Sequence, residues 1–78
     1  MDNNKTKTNL PNGTQIKVNG SRTVYTLNNG SDRGANLVGP RGGQRTLVRN
    51  IHSNQLLMIT MTGHRGRTEL VESVEVVS

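Results

Sequence analysis

Arginine recurs beside the turn glycines of this chain: Arg22 after Gly20, Arg33 before Gly34, Arg41 before Gly42 and Gly43, and Arg65 and Arg67 on either side of Gly66. Glycine has no Cβ, so backbone N–H groups beside it can approach an anion closely, and a guanidinium fork can grip two oxygens of one phosphate. Residue types in this pattern suit contact with a phosphate backbone. The densest instance, "VGPRGGQRTLVR" (38–49), adds Arg45 and Arg49, and "TQIKVNG" contributes Lys17. The candidate nucleic-acid-binding set is therefore Arg41, Arg45, Arg49, Arg65, Arg67, Arg22, Arg33 and Lys17, with Lys5 and Lys7 as auxiliary cations. "GPRGG" is not a Walker loop, because it lacks the closing Gly-Lys-Ser/Thr and a helix after it.

Catalytic chemistry finds little support in the residues. The chain has no cysteine, and its carboxylates are Asp2, Asp32, Glu69, Glu72 and Glu75, mostly at the extreme N-terminus or in the C-terminal segment. No paired general acid and base is evident. His52 in "NIHSN" and His64 in "GHRGR" both fall in expected turns, where a solvated histidine is the ordinary case. Two isolated histidines without neighbouring acids or thiolates do not make a metal site. A non-enzymatic chain without cofactor or metal is the expectation.

Charge points the same way as the arginine pattern. Residues 1–68 hold all ten Lys and Arg with only Asp2 and Asp32, a balance of +8, whereas residues 69–78 hold Glu69, Glu72 and Glu75, a balance of −3. A basic body attracts polyanions. With Tyr25 the only aromatic residue, base stacking cannot dominate, which favours phosphate contacts to duplex DNA or structured RNA over single-strand binding. The competing reading is a protein-interaction module, an adaptor or inhibitor of the short Asn- and Thr-rich kind that phages and plasmids encode, docking its basic surface on an acidic partner protein. A solubilising surface, or arginines paired with the C-terminal glutamates, is the plain alternative to either.

The elements that carry these residues read as short strands. Seventy-eight residues make a single domain with a small core of valine, leucine, isoleucine and methionine, so self-association as a homo-oligomer or a bound partner is an expected source of added stability. The polar start, "MDNNKTKTNLPNG", lacks the apolar segment of a secretory signal, and no stretch is long enough to span a membrane. Those features point to a cytoplasmic chain with a flexible polar arm over 1–12 and one domain over 13–78.

Within that domain Ile16 and Val18 alternate with polar neighbours as in a strand, "RTVYTL" (22–27) returns as a second, "NNGSDRG" is a loop, and "ANLVG" (35–39) is a third. Pro40 and the glycines turn the chain into "QRTLVR" (44–49). "QLLMITMT" (55–62) reads as the central strand with Leu57, Ile59 and Met61 inward and Leu56 and Met58 partly covered. "GHRGR" turns, and "TELVESVEVVS" offers Leu70, Val74 and Val76 to the core. A helix over 45–57, from the spacing of Leu47, Val48 and Ile51, is the rival to this reading.

The pattern resembles the SH3-like small β-barrels, the group that includes KOW and Tudor-type modules. "NGTQIKVNG" (12–20) is similar to a KOW opening, and "RTELVESVEVV" (67–77) looks like the usual finish: a strand, a 3₁₀ turn around Val71 to Ser73, and a short last strand that closes the barrel. The resemblance implies an all-β barrel of five to six short antiparallel strands. Tyr25 alone cannot form the aromatic cage that holds methylated side chains, and "SRTVY" stands where a KOW motif has its second glycine. A plasmid-encoded dihydrofolate reductase is similar in size and barrel type, but its "VQIYP"-like pore motif has no equivalent in this sequence.

Overall fold

A computed structural model describes residues 6–62 and 65–77, the side chain of Thr62 excepted. Strands form wherever β-branched and leucine-rich runs alternate between turn formers: β1 (Thr14–Val18), β2 (Tyr25–Ser31), β3 (Gly34–Val38), β4 (Gln44–Arg49), β5 (Leu56–Thr62), β6 (Arg65–Val71) and β7 (Val74–Val76). The helix considered over 45–57 does not form. Asn50 breaks it: its Oδ1 accepts from the amides of His52 and Ser53, and Asn54 adopts a positive φ of 60°.

The strands make one seven-stranded sheet in the order β6-β5-β4-β3-β2-β1-β7, every neighbouring pair antiparallel. The all-β expectation is met, with more strands than the five to six expected. β6 and β7 lie at opposite edges of this order although only Glu72 and Ser73 separate them in sequence. The sheet must therefore curl until its two edges meet at that corner, giving a half-barrel. Its radius of gyration, 11.6 Å, matches the ~11.5 Å of a compact chain this long.

Asn19 holds the corner. Its Oδ1 accepts from the amides of Glu72 at 2.7 Å and Ser73 at 3.2 Å, and its Nδ2 donates to the Leu70 carbonyl at 2.9 Å and to Glu69 Oε2 at 3.1 Å. Its own amide donates to the Ser73 carbonyl. The corner is thus built by a side chain from β1's end rather than by the expected 3₁₀ turn.

The core lines the inner face: Ile16 and Val18 of β1, Tyr25 and Leu27 of β2, Ala35 and Leu37 of β3, Leu47 of β4, Leu56 and Met58 of β5, and Val71 of β6. The expected phase of β5 is reversed. Leu56 and Met58 are buried, Leu57 and Ile59 lie half-buried on the outer face, and Met61 is 67% exposed. Pairing decides this, since Leu47, already committed to the core, faces Met58, and Leu56 faces Val71. β5 is also next to the edge, and β3 is the middle strand. At the C-terminal end Val71 is the buried residue and Val74 packs against the core, whereas Leu70 and Val76 are exposed.

Two further segments differ from expectation. The second strand starts at Tyr25 and runs on through "NNGS", which composition had marked as loop. Asn28 pairs with Asn36, the register shifts between Asn28 and Ser31, and the amide of Asn29 donates to Asn12 Oδ1. Tertiary partners supply the hydrogen bonds that local turn chemistry would otherwise provide.

The described part of the polar start, residues 6–12, runs against the sheet as a strap. Thr6 and Thr8 are buried, and Thr8 Oγ1 donates to the Ser31 carbonyl. The strap crosses so closely over Gly30 that a Cβ there would lie 2.5 Å from the Thr8 carbonyl oxygen and 2.7 Å from that of Leu10. Only glycine fits beneath it.

Candidate nucleic-acid interface

Strand register sorts the arginines by face, because residues paired across antiparallel strands point to the same side. Leu27 pairs with Leu37, Leu37 with Arg45, Arg45 with Thr60, and Thr60 with Arg67. One row of the inner face therefore runs Leu27, Leu37, Arg45, Thr60, Arg67. It passes from closed core to open basic surface, since Leu27 and Leu37 are fully buried, Arg45 and Thr60 are half-buried and Arg67 is exposed. Arg65, two residues before Arg67 on the same strand, shares that face. At a strand spacing of about 4.8 Å, the Cα atoms of Arg45 and Arg67 lie roughly 10 Å apart.

At Arg45 the row meets a cleft of about 660 Å³ between the β1–β2 connection and the β3–β4 turn, lined by Arg22, Thr23, Tyr25, Arg41 and Arg45 together with Gly39 and Gly43. The turn is a hairpin as "VGPRGG" suggests. The amide of Gly39 donates to the Gly43 carbonyl, that of Gly42 to the Gly39 carbonyl, and Gly42 takes a φ of 84°. Arg45 Nη1 donates to the Gln44 carbonyl at 2.9 Å, and a Cβ at Gly43 would sit 3.2 Å from that nitrogen. The bare glycine lets the guanidinium lie along the turn. Among the described residues, Arg22, Arg41, Arg65 and Arg67 make no side-chain hydrogen bond, and no arginine is ion-paired with Glu69, Glu72 or Glu75. Glu69, the inner-face residue after Arg67, is held by Asn19 and bounds the basic patch.

The other candidates lie elsewhere. Arg49 points inward like Arg45 but donates Nε to the Asp32 carbonyl, Nη1 to that of Asn54 and Nη2 to that of Thr6. It ties the strap and two turns to β4. Its donors serve the fold, a use that sequence cannot distinguish from phosphate contact. Arg33 sits in the β2–β3 turn near Arg49, where its carbonyl accepts the Arg49 amide. Lys17 faces outward opposite Glu75, away from the arginine row. Lys7 is exposed on the strap, and Lys5 and His64 lie outside the described residues. His52 is exposed in the β4–β5 turn.

Two features of the cleft escaped the sequence reading. Tyr25 packs its ring beside Gly39, whose Cβ would lie 3.6 and 3.7 Å from two ring carbons. The residue is 9% exposed and lines the cleft, and its hydroxyl is neither fully buried nor bonded within the described residues. Thr60 lies between two arginines in the row, a position that only the register reveals. Among the described residues no three of His, Asp and Glu cluster as a metal site would require. Comparison of the chain with protein-family models, with curated proteins and with solved structures finds no match to any of them.

Proposed function

We propose that this chain binds nucleic acid non-catalytically through its phosphate backbone, using Arg22, Arg41, Arg45, Arg65 and Arg67. The observation that carries the reading is the continuity of the arginine row with the arginine cleft, joined at Arg45, on the open part of the inner face. Unpaired guanidinium groups on one surface suit a polyanion. No exposed aromatic platform accompanies them, because Tyr25, the only aromatic residue, is a buried member of the core. That favours phosphate contact to duplex DNA or structured RNA over stacked single strands.

The test is the affinity for a generic duplex as a function of salt. Each neutralised phosphate of B-DNA adds about 0.9 to the slope of log K against log salt, so five arginines set an upper limit of about 4.5 in magnitude. A slope between about 3 and 4.5, reduced by about 0.9 in Arg67→Gln, is expected. No binding at low ionic strength, or a flat slope, overturns the proposal. The rival reading draws on β6, an edge strand exposed from Arg65 to Leu70, to which an acidic strand of a partner protein could add. Co-purification of one protein at fixed stoichiometry, insensitive to nuclease, would decide for it.

A further inference from the structure

The cleft differs from the rest of the basic surface in having a closed end. Next after Arg45 in the row come Leu37 and Leu27, both fully buried, so a phosphate chain laid over Arg67 and Arg45 cannot continue across the sheet. It is stopped where three arginines, Arg22, Arg41 and Arg45, line one cleft with Tyr25 and no carboxylate. Three cations are more than one phosphodiester, with its single charge, can balance. A phosphate monoester carries about −1.5 to −2 at pH 7 and offers three terminal oxygens to these donors. Its charge and its oxygen count both fit the cleft better than an internal phosphate does.

We infer that the Arg22–Arg41–Arg45 cleft is a phosphate-monoester site, and that on a nucleic acid it captures the terminal phosphate of a strand whose backbone runs over Arg67. The terminal-phosphate assignment rests on the nucleic-acid reading above, whereas the affinity of the cleft for a phosphate monoester does not. Tyr25 donates its hydroxyl to one oxygen, and Gly43 keeps the Arg45 guanidinium seated against the turn. A free small phosphomonoester has the same chemistry, and the experiment separates the two sources.

Binding of the full chain is measured by fluorescence anisotropy to one labelled duplex carrying either a 5′ phosphate or a 5′ hydroxyl, and to a second pair differing in the same way at the 3′ end. In parallel, inorganic phosphate is titrated against the protein and followed by NMR. One phosphorylated end is expected to bind roughly tenfold tighter than its hydroxyl counterpart, equivalent to about 1.4 kcal/mol. Arg22→Gln and Arg41→Gln should bring that ratio to within about twofold, whereas Arg67→Gln should weaken both ligands equally and leave the ratio intact. Inorganic phosphate should shift resonances of Arg22, Arg41 and Tyr25.

Equal affinity for phosphate and hydroxyl ends, with no phosphate-induced shift in the cleft, overturns the inference while the backbone-binding proposal stands. Survival of the ratio in Arg22→Gln overturns it as well. Phosphate-induced shifts in the cleft without binding of any duplex support the monoester site, assign it to a small phosphomonoester, and remove the nucleic-acid reading instead.

Discussion

Arg49 gives the sharpest test of how the arginines divide between fold and function. Its guanidinium donates to carbonyls of Asp32, Asn54 and Thr6, which belong to the β2–β3 turn, the β4–β5 turn and the N-terminal strap. Arg49→Met keeps the length and apolar character of the stem while removing all three donors. Hydrogen bonds from a charged group are worth about 1.5–3 kcal/mol each when well sheltered. Two of these three are exposed, so about 1 kcal/mol each for those and about 1.5 kcal/mol for the part-buried bond to Thr6 give a loss of about 3–4 kcal/mol.

For a domain of this size that corresponds to a fall in melting temperature of at least roughly 12–24 °C, read by circular dichroism. Arg49→Lys should lose most of the same stability, because one ammonium cannot reach three carbonyls arranged around a planar fork. Binding to duplex at a temperature where both variants are folded should keep the wild-type salt slope. A melting temperature of Arg49→Met within about 3 °C of wild type, together with a slope shallower by about 0.9, would refute the reasoning and return Arg49 to the phosphate-binding set.

Three further outcomes are expected. Asn19→Ala removes four side-chain hydrogen bonds at the corner between β6 and β7 and places alanine at a φ of 53°, so a loss of about 2–4 kcal/mol in denaturant unfolding is expected. Asn19→Gly, which relieves only the backbone strain, should recover less than half of it. Gly30→Ala drives a methyl into the Thr8 and Leu10 carbonyls and should lift the strap, so that trypsin cleaves after Lys7 several-fold faster than in wild type. An unchanged rate would show that the strap does not depend on that contact. Met58→Ala should cost about 2–4 kcal/mol as a core truncation, whereas Met61→Ala should change stability by less than about 0.5 kcal/mol. Similar costs at both positions would contradict the inward phase of β5.

How much of this was legible in the sequence depended on whether a segment's pattern was asymmetric. β1 alternates apolar and polar residues, and the bounds of β4 ("QRTLVR"), like the hairpin between β3 and β4, follow from residue types alone. "QLLMITMT" holds four consecutive apolar residues, 56–59, so its strand character is readable but its phase is not. The phase is fixed by Leu47 on one side and Val71 on the other. The same ambiguity misplaced Leu70 and Val71, neighbours of similar character of which only one can face the core. The strand character of "NNGS" was hidden for a different reason, since its bonding partners, Asn36 and Asn12, are distant in sequence.

For the site, spacing was informative within a strand and silent between strands. Arg45 and Arg49 are separated by four residues around Leu47, which puts all three on one face of β4. Nothing local tells the two arginines apart. Their fates diverge because Arg49 stands at the end of β4 where turns and strap present carbonyls to it, whereas Arg45 stands at the end where the neighbouring turn carries Gly39, Gly42 and Gly43. A guanidinium surrounded by main-chain oxygens becomes a strut, and one beside bare glycines and other cations keeps most of its donors for a ligand. Arginine at a glycine-rich turn is therefore a weak signal taken alone. It gains force here because the pairing of β2 with β3 brings Arg22, from a connection more than twenty residues away from Arg45 in sequence, into the same cleft.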